Sequence, residues 1–272
     1  MANSTDLYVS LLKQCSEEIL EFTKNAKNHD SQFKFTDFNQ KCVNVIYDNL
    51  GKENIIKPRQ ELFDPIPGLH ETCTGCYKYY MNPRDRFAKS LDIKLGKKFE
   101  VFFVDYLNSL GIPSGLLEEK PLNYPDITIK NKSGKIVSRC EIKYMAAPFL
   151  LLYKKIPGRE CYEGSNTLDV GKKIAKQRNF VENEIDVPVF YIYWLDFPCV
   201  KGVYFMPSEE VYEYIDSVGG MEFERKERSG DFVTTKEGEK KKLSQTSKVY
   251  LPLYKMQNFE SLIEKFKELS GV

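Results

Sequence analysis

The sequence predicts a mixed α/β fold in which helices cover a β-sheet. Three observations carry this reading. The middle of the 272-residue chain runs helix, three strands, helix, two strands, an order that layers helices over a sheet. The segment 187-VPVFYIYWL-195 is a continuous apolar run, the kind buried on both faces of a sheet. Two strand-length segments, 126–130 and 136–143, flank 131-NKSGK-135, whose Asn, Ser and Gly are turn chemistry, so the pair reads as a hairpin.

From the N-terminus, Leu7, Leu11, Cys15, Ile19 and Phe22 recur at helical spacing, which predicts a helix over 6–27 capped by Ser4 or Thr5. Phe38, Cys42, Val45 and Ile46 predict a second helix over about 37–50. From Lys57 to Arg86, Pro58, Pro65, Pro67, Gly68, Gly75 and Pro83 break any long element, so this stretch reads as an irregular connector. A strong helix follows in 95-LGKKFEVFFVDYLNSLG-111, with Gly111 as its stop. Strands are expected at about 116–122, 126–130 and 136–143. An amphipathic helix is expected at about 167–183, then strands 187–195 and 200–207 and a helix at about 208–216. The tail reads as a charged hairpin (221–254) and a final helix (258–269).

The composition is that of a globular chain, with 42% hydrophobic and 29% charged residues, and 17 Tyr and 18 Phe to build a core. A net charge of +1 excludes whole-molecule attraction to a polyanion, so any nucleic-acid binding must rest on local basic patches. No apolar run is long enough to cross a membrane, and the first 27 residues lack a signal-peptide pattern. Seven cysteines without such a signal predict reduced thiols and a cytoplasmic location. No phosphate-binding glycine loop is present, and the only histidines, His29 and His70, stand in no nucleophile setting, which argues against ATP use and against Ser–His or Cys–His hydrolysis.

The chemistry-bearing stretch is 124-YPDITIKNKSGKIVSRCEIKYMAAPF-149. Residues two apart on a strand share a face, so Glu141 and Lys143 project together while Cys140, Ile142 and Tyr144 point the other way. Asp126 opens the partner strand and comes beside Glu141. Two adjacent carboxylates raise each other's pKa unless a cation lies between them. A hard divalent ion such as Mg²⁺ prefers such oxygens, and a neighbouring lysine can then orient a bound water or offset developing negative charge.

Glu-x-Lys alone recurs elsewhere in the chain, but Pro-Asp occurs once. With Pro125-Asp126 followed by Glu141-Ile142-Lys143, the region of about 95–207 resembles the PD-(D/E)xK nuclease superfamily, most closely type II restriction endonucleases. The resemblance implies a restriction-endonuclease-like core: a mixed β-sheet flanked by helices, with helical N-terminal and hairpin-and-helix C-terminal additions. It implies that Asp126 and Glu141 bind Mg²⁺, with Mn²⁺ able to substitute, and that Lys143 assists the attacking water. It offers Glu100, on the preceding helix, as a further catalytic carboxylate, and Gln177 as a polar residue from the helix that follows.

Lys154, Lys155 and Arg159 in the loop after the motif, and Lys172 and Lys173 on the next helix, are expected to hold DNA phosphates; Lys176 and Arg178 extend this basic run. In 70-HETCTGC-76, His70, Cys73 and Cys76 have the spacing of metal ligands, for a structural Zn²⁺ or Fe, with Cys42 or Cys161 as a fourth. The expectation is therefore a Mg²⁺-dependent, site-specific endonuclease acting on double-stranded DNA as a homodimer, with a cognate DNA methyltransferase in the same cell. Its regions are a helical N-terminal part with the Cys/His loop (1–90), a nuclease core (91–216) and a C-terminal hairpin and helix (217–272). A structure-selective or repair nuclease of the same superfamily, and a non-catalytic DNA-binding module, are the alternatives.

Overall fold

A computed structural model of the chain describes residues 2–27, 29, 33–78, 90–117, 124–146, 152–164, 166–227, 232–234, 238–242 and 246–272. In chain order it forms α1 (Ser4–Thr23), α2 (Asp37–Cys42), a π-helical segment (Val43–Asn49), α3 (Leu50–Glu53), α4 (Arg59–Leu62), α5 (Leu69–Gly75) and α6 (Leu91–Ser109). Strands β1 (Ser114–Leu116), β2 (Ile127–Lys130), β3 (Ile136–Met145) and β4 (Thr167–Asp169) follow, then α7 (Lys172–Glu184), β5 (Val189–Asp196), β6 (Lys201–Pro207) and α8 (Ser208–Ser217). The chain continues through β7 (Phe223–Glu224), β8 (Phe232–Thr234), β9 (Lys240–Lys242), β10 (Ser247–Tyr250), β11 (Gln257–Asn258) and α9 (Phe259–Ser270).

The main sheet has six strands in the order β1-β2-β3-β5-β6-β11. β3 and β5 are parallel, joined through α7, and the remaining neighbours are antiparallel. The mixed α/β class read from the sequence is therefore present. β5 is buried along its whole length, as its unbroken apolar run requires. Its side chains alternate between two clusters. Phe190, Ile192 and Trp194 pack with α1, α6 and α9; Val189, Tyr191, Tyr193 and Leu195 face the cluster containing Ile174 and Phe180 of α7 and Val211 of α8. Both clusters draw on the N-terminal, central and C-terminal parts of the chain.

Several expected elements change in detail. Asn3, not Ser4 or Thr5, caps α1, its side chain accepting from the Asp6 amide. The helix over 37–50 is α-helical only to Cys42 and then widens into the π segment. The connector after Lys57 holds two short helices, α4 following Pro58 and α5 following Gly68, whose φ of 85° suits glycine. The helix expected from residue 167 starts at Lys172, because Thr167–Asp169 instead pairs with β10. The first strand runs over 114–116, and residues 118–122 of the expected 116–122 lie outside the described residues. The tail hairpin is realised as β8 paired with β9, while β10 lies between β4 and β7 in a separate three-stranded sheet. Among the described residues no helix is long and apolar enough to cross a membrane.

Candidate active site

The β2–β3 hairpin pairs Ile127 with Cys140 and Thr128 with Arg139. Extending that register by one residue sets Asp126 opposite Glu141. The Asp126 amide donates to the Cys140 carbonyl at 2.8 Å, and Asp126 Oδ2 accepts from the Ile142 amide at 2.9 Å. Asp126 is thus fixed at the strand mouth by main-chain bonds on both sides of Glu141. It follows a cis peptide between Tyr124 and Pro125.

Alternation on β3 sends Cys140 into the α1/α6/α9 cluster, with Ile142 and Tyr144 packed against it, and turns Glu141 and Lys143 toward α7. Glu141 is only 6% exposed. Its Oε1 accepts from the Lys143 ammonium at 3.0 Å, whereas Oε2 is buried without a hydrogen-bond partner among the described residues. Burial pushes the Glu141 carboxyl up to about 7; Lys143 opposes the shift, Asp126 adds to it, and Lys173 opposes it. For Lys143, burial acts downward, but the adjoining Glu141 carboxylate outweighs it and the net shift is upward.

Two more buried polar groups share this face. Gln177 on α7 is 3% exposed, and its Nε2 has no hydrogen-bond partner among the described residues. It is therefore not a solvated helix-face glutamine. Tyr193 pairs in register with Lys143 across the parallel strands; its hydroxyl is buried, also without such a partner, and feels the charges of Glu141 and Asp169. Sequence reading missed Tyr193, because inside an apolar run a tyrosine looks like filler.

A cleft of about 880 Å³ opens beside these groups. Lys143, Lys155, Lys173, Arg225, Lys226 and Lys248 bring six cations to its lining, against the carboxylates of Asp169 and Glu224; Lys248 is ion-paired with Asp169. Gln177 also lines it. Lys248 reaches the cleft because β10 pairs with β4, immediately before α7, and no local sequence signal announces that pairing.

The residues expected to hold phosphate separate into two groups. Lys155 and Lys173 line the cleft, and Lys154 and Lys172 are exposed, Lys154 with its ammonium 5.7 Å from the Tyr153 ring centroid. Arg159 does not belong with them. It is 8% exposed and pairs with Glu163 at 3.1 Å and Glu222 at 2.8 Å, and it donates to the Tyr214 hydroxyl and the Tyr250 carbonyl. Three anionic or carbonyl partners occupy its guanidinium, so it is an interior clamp. Arg178 pairs with Glu182 and Asp216, which removes it from the basic run as well.

Glu100 is half-buried on α6, one residue past Phe99, whose ring stacks on Tyr144 at 3.7 Å. Phe99 of α6 thereby packs on the sheet face opposite Glu141, with Tyr144. Of the Cys/His segment, His70 is exposed with its ring edge-on to Phe63, Cys73 is half-buried and Cys76 is buried. Among the described residues no group of three or more His, Cys, Asp or Glu side chains is arranged to hold a metal ion. The Asp126–Glu141 pair supplies two carboxylates, the donor set from which a hydrated Mg²⁺ is held.

Compared with protein-family models, with curated proteins and with solved structures, the chain matches none of them.

Proposed function

We propose that the chain is a Mg²⁺-dependent DNA endonuclease with a restriction-endonuclease-like core. The observation that carries this reading is Glu141 Oε2: a buried carboxylate oxygen without a hydrogen-bond partner among the described residues, opposite Asp126 and beside a cation-lined cleft. Burying such an oxygen costs free energy unless a partner arrives, and a hard cation is the partner two carboxylates select. Asp126 and Glu141 would hold the ion. When bound, it would polarise a phosphate and lower the pKa of an attacking water.

The chain's own residues do the rest. Lys143, tethered at Glu141, would offset negative charge developing on the phosphate. Lys155, Lys173, Arg225 and Lys226 neutralise backbone phosphates along the cleft. The Gln177 amide, without a partner among the described residues, is a donor for a phosphate oxygen or a water. The type II restriction form of this reading adds double-strand cutting by a homodimer and a cognate methyltransferase that protects the host DNA.

Plasmid cleavage with and without Mg²⁺, for the wild type and Asp126→Asn, tests the proposal. Metal-dependent discrete fragments that the variant fails to produce support it. A smear points instead to a nuclease without site preference. Intact plasmid under all conditions, with DNA binding retained, identifies a binding module and overturns the catalytic reading.

A further inference from the structure

A second cavity, of about 280 Å³, opens where α1, the π segment, β6 and the start of α9 meet. It shares no lining residue with the cation-lined cleft. The π segment shapes one wall. Its turns close from residue i to i+5, so Val43, Tyr47 and Asp48 share a face, and all three line the cavity. In an α-helix, with about 3.6 residues per turn, position i+5 swings away from position i, and Asp48 would leave that face. Single π turns set into α-helices are frequent at functional sites.

The lining offers ring faces and carboxylates. The Tyr47 and Tyr204 ring centroids are 4.8 Å apart, and those of Tyr8 and Phe35 are 5.8 Å apart. The tyrosine hydroxyls are already committed: Tyr8 donates to the Leu195 carbonyl at 3.1 Å, Tyr47 to the Met256 carbonyl and Tyr204 to the Lys201 carbonyl. Thr5 donates to Gln40, and Gln40 in turn to Asn44. The Lys201 ammonium, 5% exposed, pairs with Asp196, its register partner on β5, so the Lys201 charge is cancelled from within the wall. Asp48 and Glu260 are left. Asp48 is half-buried, and burial holds its carboxyl above the usual carboxylate range, with Lys52 opposing. The Glu260 amide is taken by Ser4 Oγ, but its half-buried carboxylate has no ion-pair partner among the described residues.

We propose that this cavity binds a small organic cation, an ammonium group on an apolar body. The Asp48 and Glu260 carboxylates supply charge-assisted acceptors for its N–H groups, and the tyrosine faces attract the same charge. An anion would meet two carboxylates and find the Lys201 charge already answered by Asp196. The volume sits near the lower end, about 300 Å³, of small-molecule sites, so the ligand is compact. Once seated, it bridges the π segment to the start of α9, which Ser4 already ties to α1. The site is independent of whether the chain cleaves DNA.

The test is calorimetric titration of the full chain, at neutral pH and fixed ionic strength, with benzylamine and n-butylamine. Benzyl alcohol and benzoate serve as the neutral and anionic counterparts of benzylamine. Both amines should saturate one site and raise Tm with concentration. Benzyl alcohol should bind about ten- to a hundredfold more weakly than benzylamine, and benzoate should not bind. Asp48→Asn should weaken amine binding about tenfold or more. Tyr47→Phe keeps the ring and should keep the affinity, whereas Tyr47→Leu should lose it. Asp126→Asn, altered in the other site, should bind the amines as the wild type does. If Tyr47→Leu does not fold, Asp48→Asn and the probe series decide. Equal affinity for benzylamine and benzyl alcohol, a preference for benzoate, or no saturation by either amine overturns the proposal. So does wild-type amine affinity in Asp48→Asn, or its loss in Asp126→Asn.

Discussion

The Lys143 ammonium donates to Glu141 Oε1 at 3.0 Å, two residues along the same strand face, and leaves Glu141 Oε2 buried without a hydrogen-bond partner among the described residues. One oxygen is paired with Lys143, and on the proposed function the other would meet the metal ion. The predictions below follow from this division and from the charges around it.

The first concerns pH. In the unfolded chain Glu141 loses its proton near 4.5, but in the fold burial holds the proton up to about 7. Below 4.5 both states are protonated, so the group's contribution to stability is fully present and does not vary with pH. As pH rises toward 7 the unfolded state ionises first, so this residue's contribution to stability declines and is lost once the folded pKa is passed. In EDTA, the wild type should lose thermal stability from pH 4.5 to 7.5 relative to Glu141→Gln. Excess Mg²⁺ should flatten that difference. Parallel melting curves for the two proteins across the range in EDTA would refute the assignment.

Lys143 should act on the chemical step and Lys155 on binding. Removing a donor that meets developing charge costs about 10²–10³ in rate with little change in KM. Removing a phosphate contact weakens affinity and lowers the salt slope by roughly one. Single-turnover rates and salt-dependent affinities for Lys143→Ala and Lys155→Ala, measured together, separate the roles. A Lys143→Ala enzyme that binds poorly but cuts at the normal rate makes Lys143 an anchor.

Arg159 should behave as a stability residue despite its place in a basic loop. Its loss leaves Glu163 and Glu222 buried without their cation, and breaking such a cluster costs about 3–5 kcal/mol. Arg159→Ala should therefore lower the urea midpoint strongly while the salt slope of DNA binding stays at the wild-type value. A reduced slope in a protein of normal stability would return Arg159 to the DNA-facing set.

Tyr193→Phe separates fold from site. The Tyr193 hydroxyl makes no hydrogen bond among the described residues, so removing it should leave Tm unchanged or slightly raised. If the hydroxyl serves the site beside Lys143, Mn²⁺ affinity or cleavage rate falls while folding is intact. An equal Tm, metal affinity and rate would make Tyr193 a packing residue only.

The division between what sequence revealed and what it hid has a physical basis. Period-two alternation and one hairpin were enough to bring Asp126 opposite Glu141 and to put Lys143 on the same face, because those relations are local. The buried β5 was equally legible from its apolar run. Arg159 was misread because its burial depends on Glu222 and Tyr250, some 60 to 90 positions away. Gln177 lies on a helix whose polar residues all look solvated until the cleft beneath it is known.

The Glu260 amide, at the start of α9, donates to Ser4 Oγ at 3.0 Å, and both helices seal the same face of the sheet. On the ribosome, α1 emerges long before α9 and must wait for it. Until residues 257–270 emerge, β6 lacks its outer neighbour and Phe190 and Phe205 lack Phe266 above them. No growing prefix of the chain owns a complete core, so a nascent polypeptide carrying the Asp126–Glu141 pair stays unfinished through most of its synthesis.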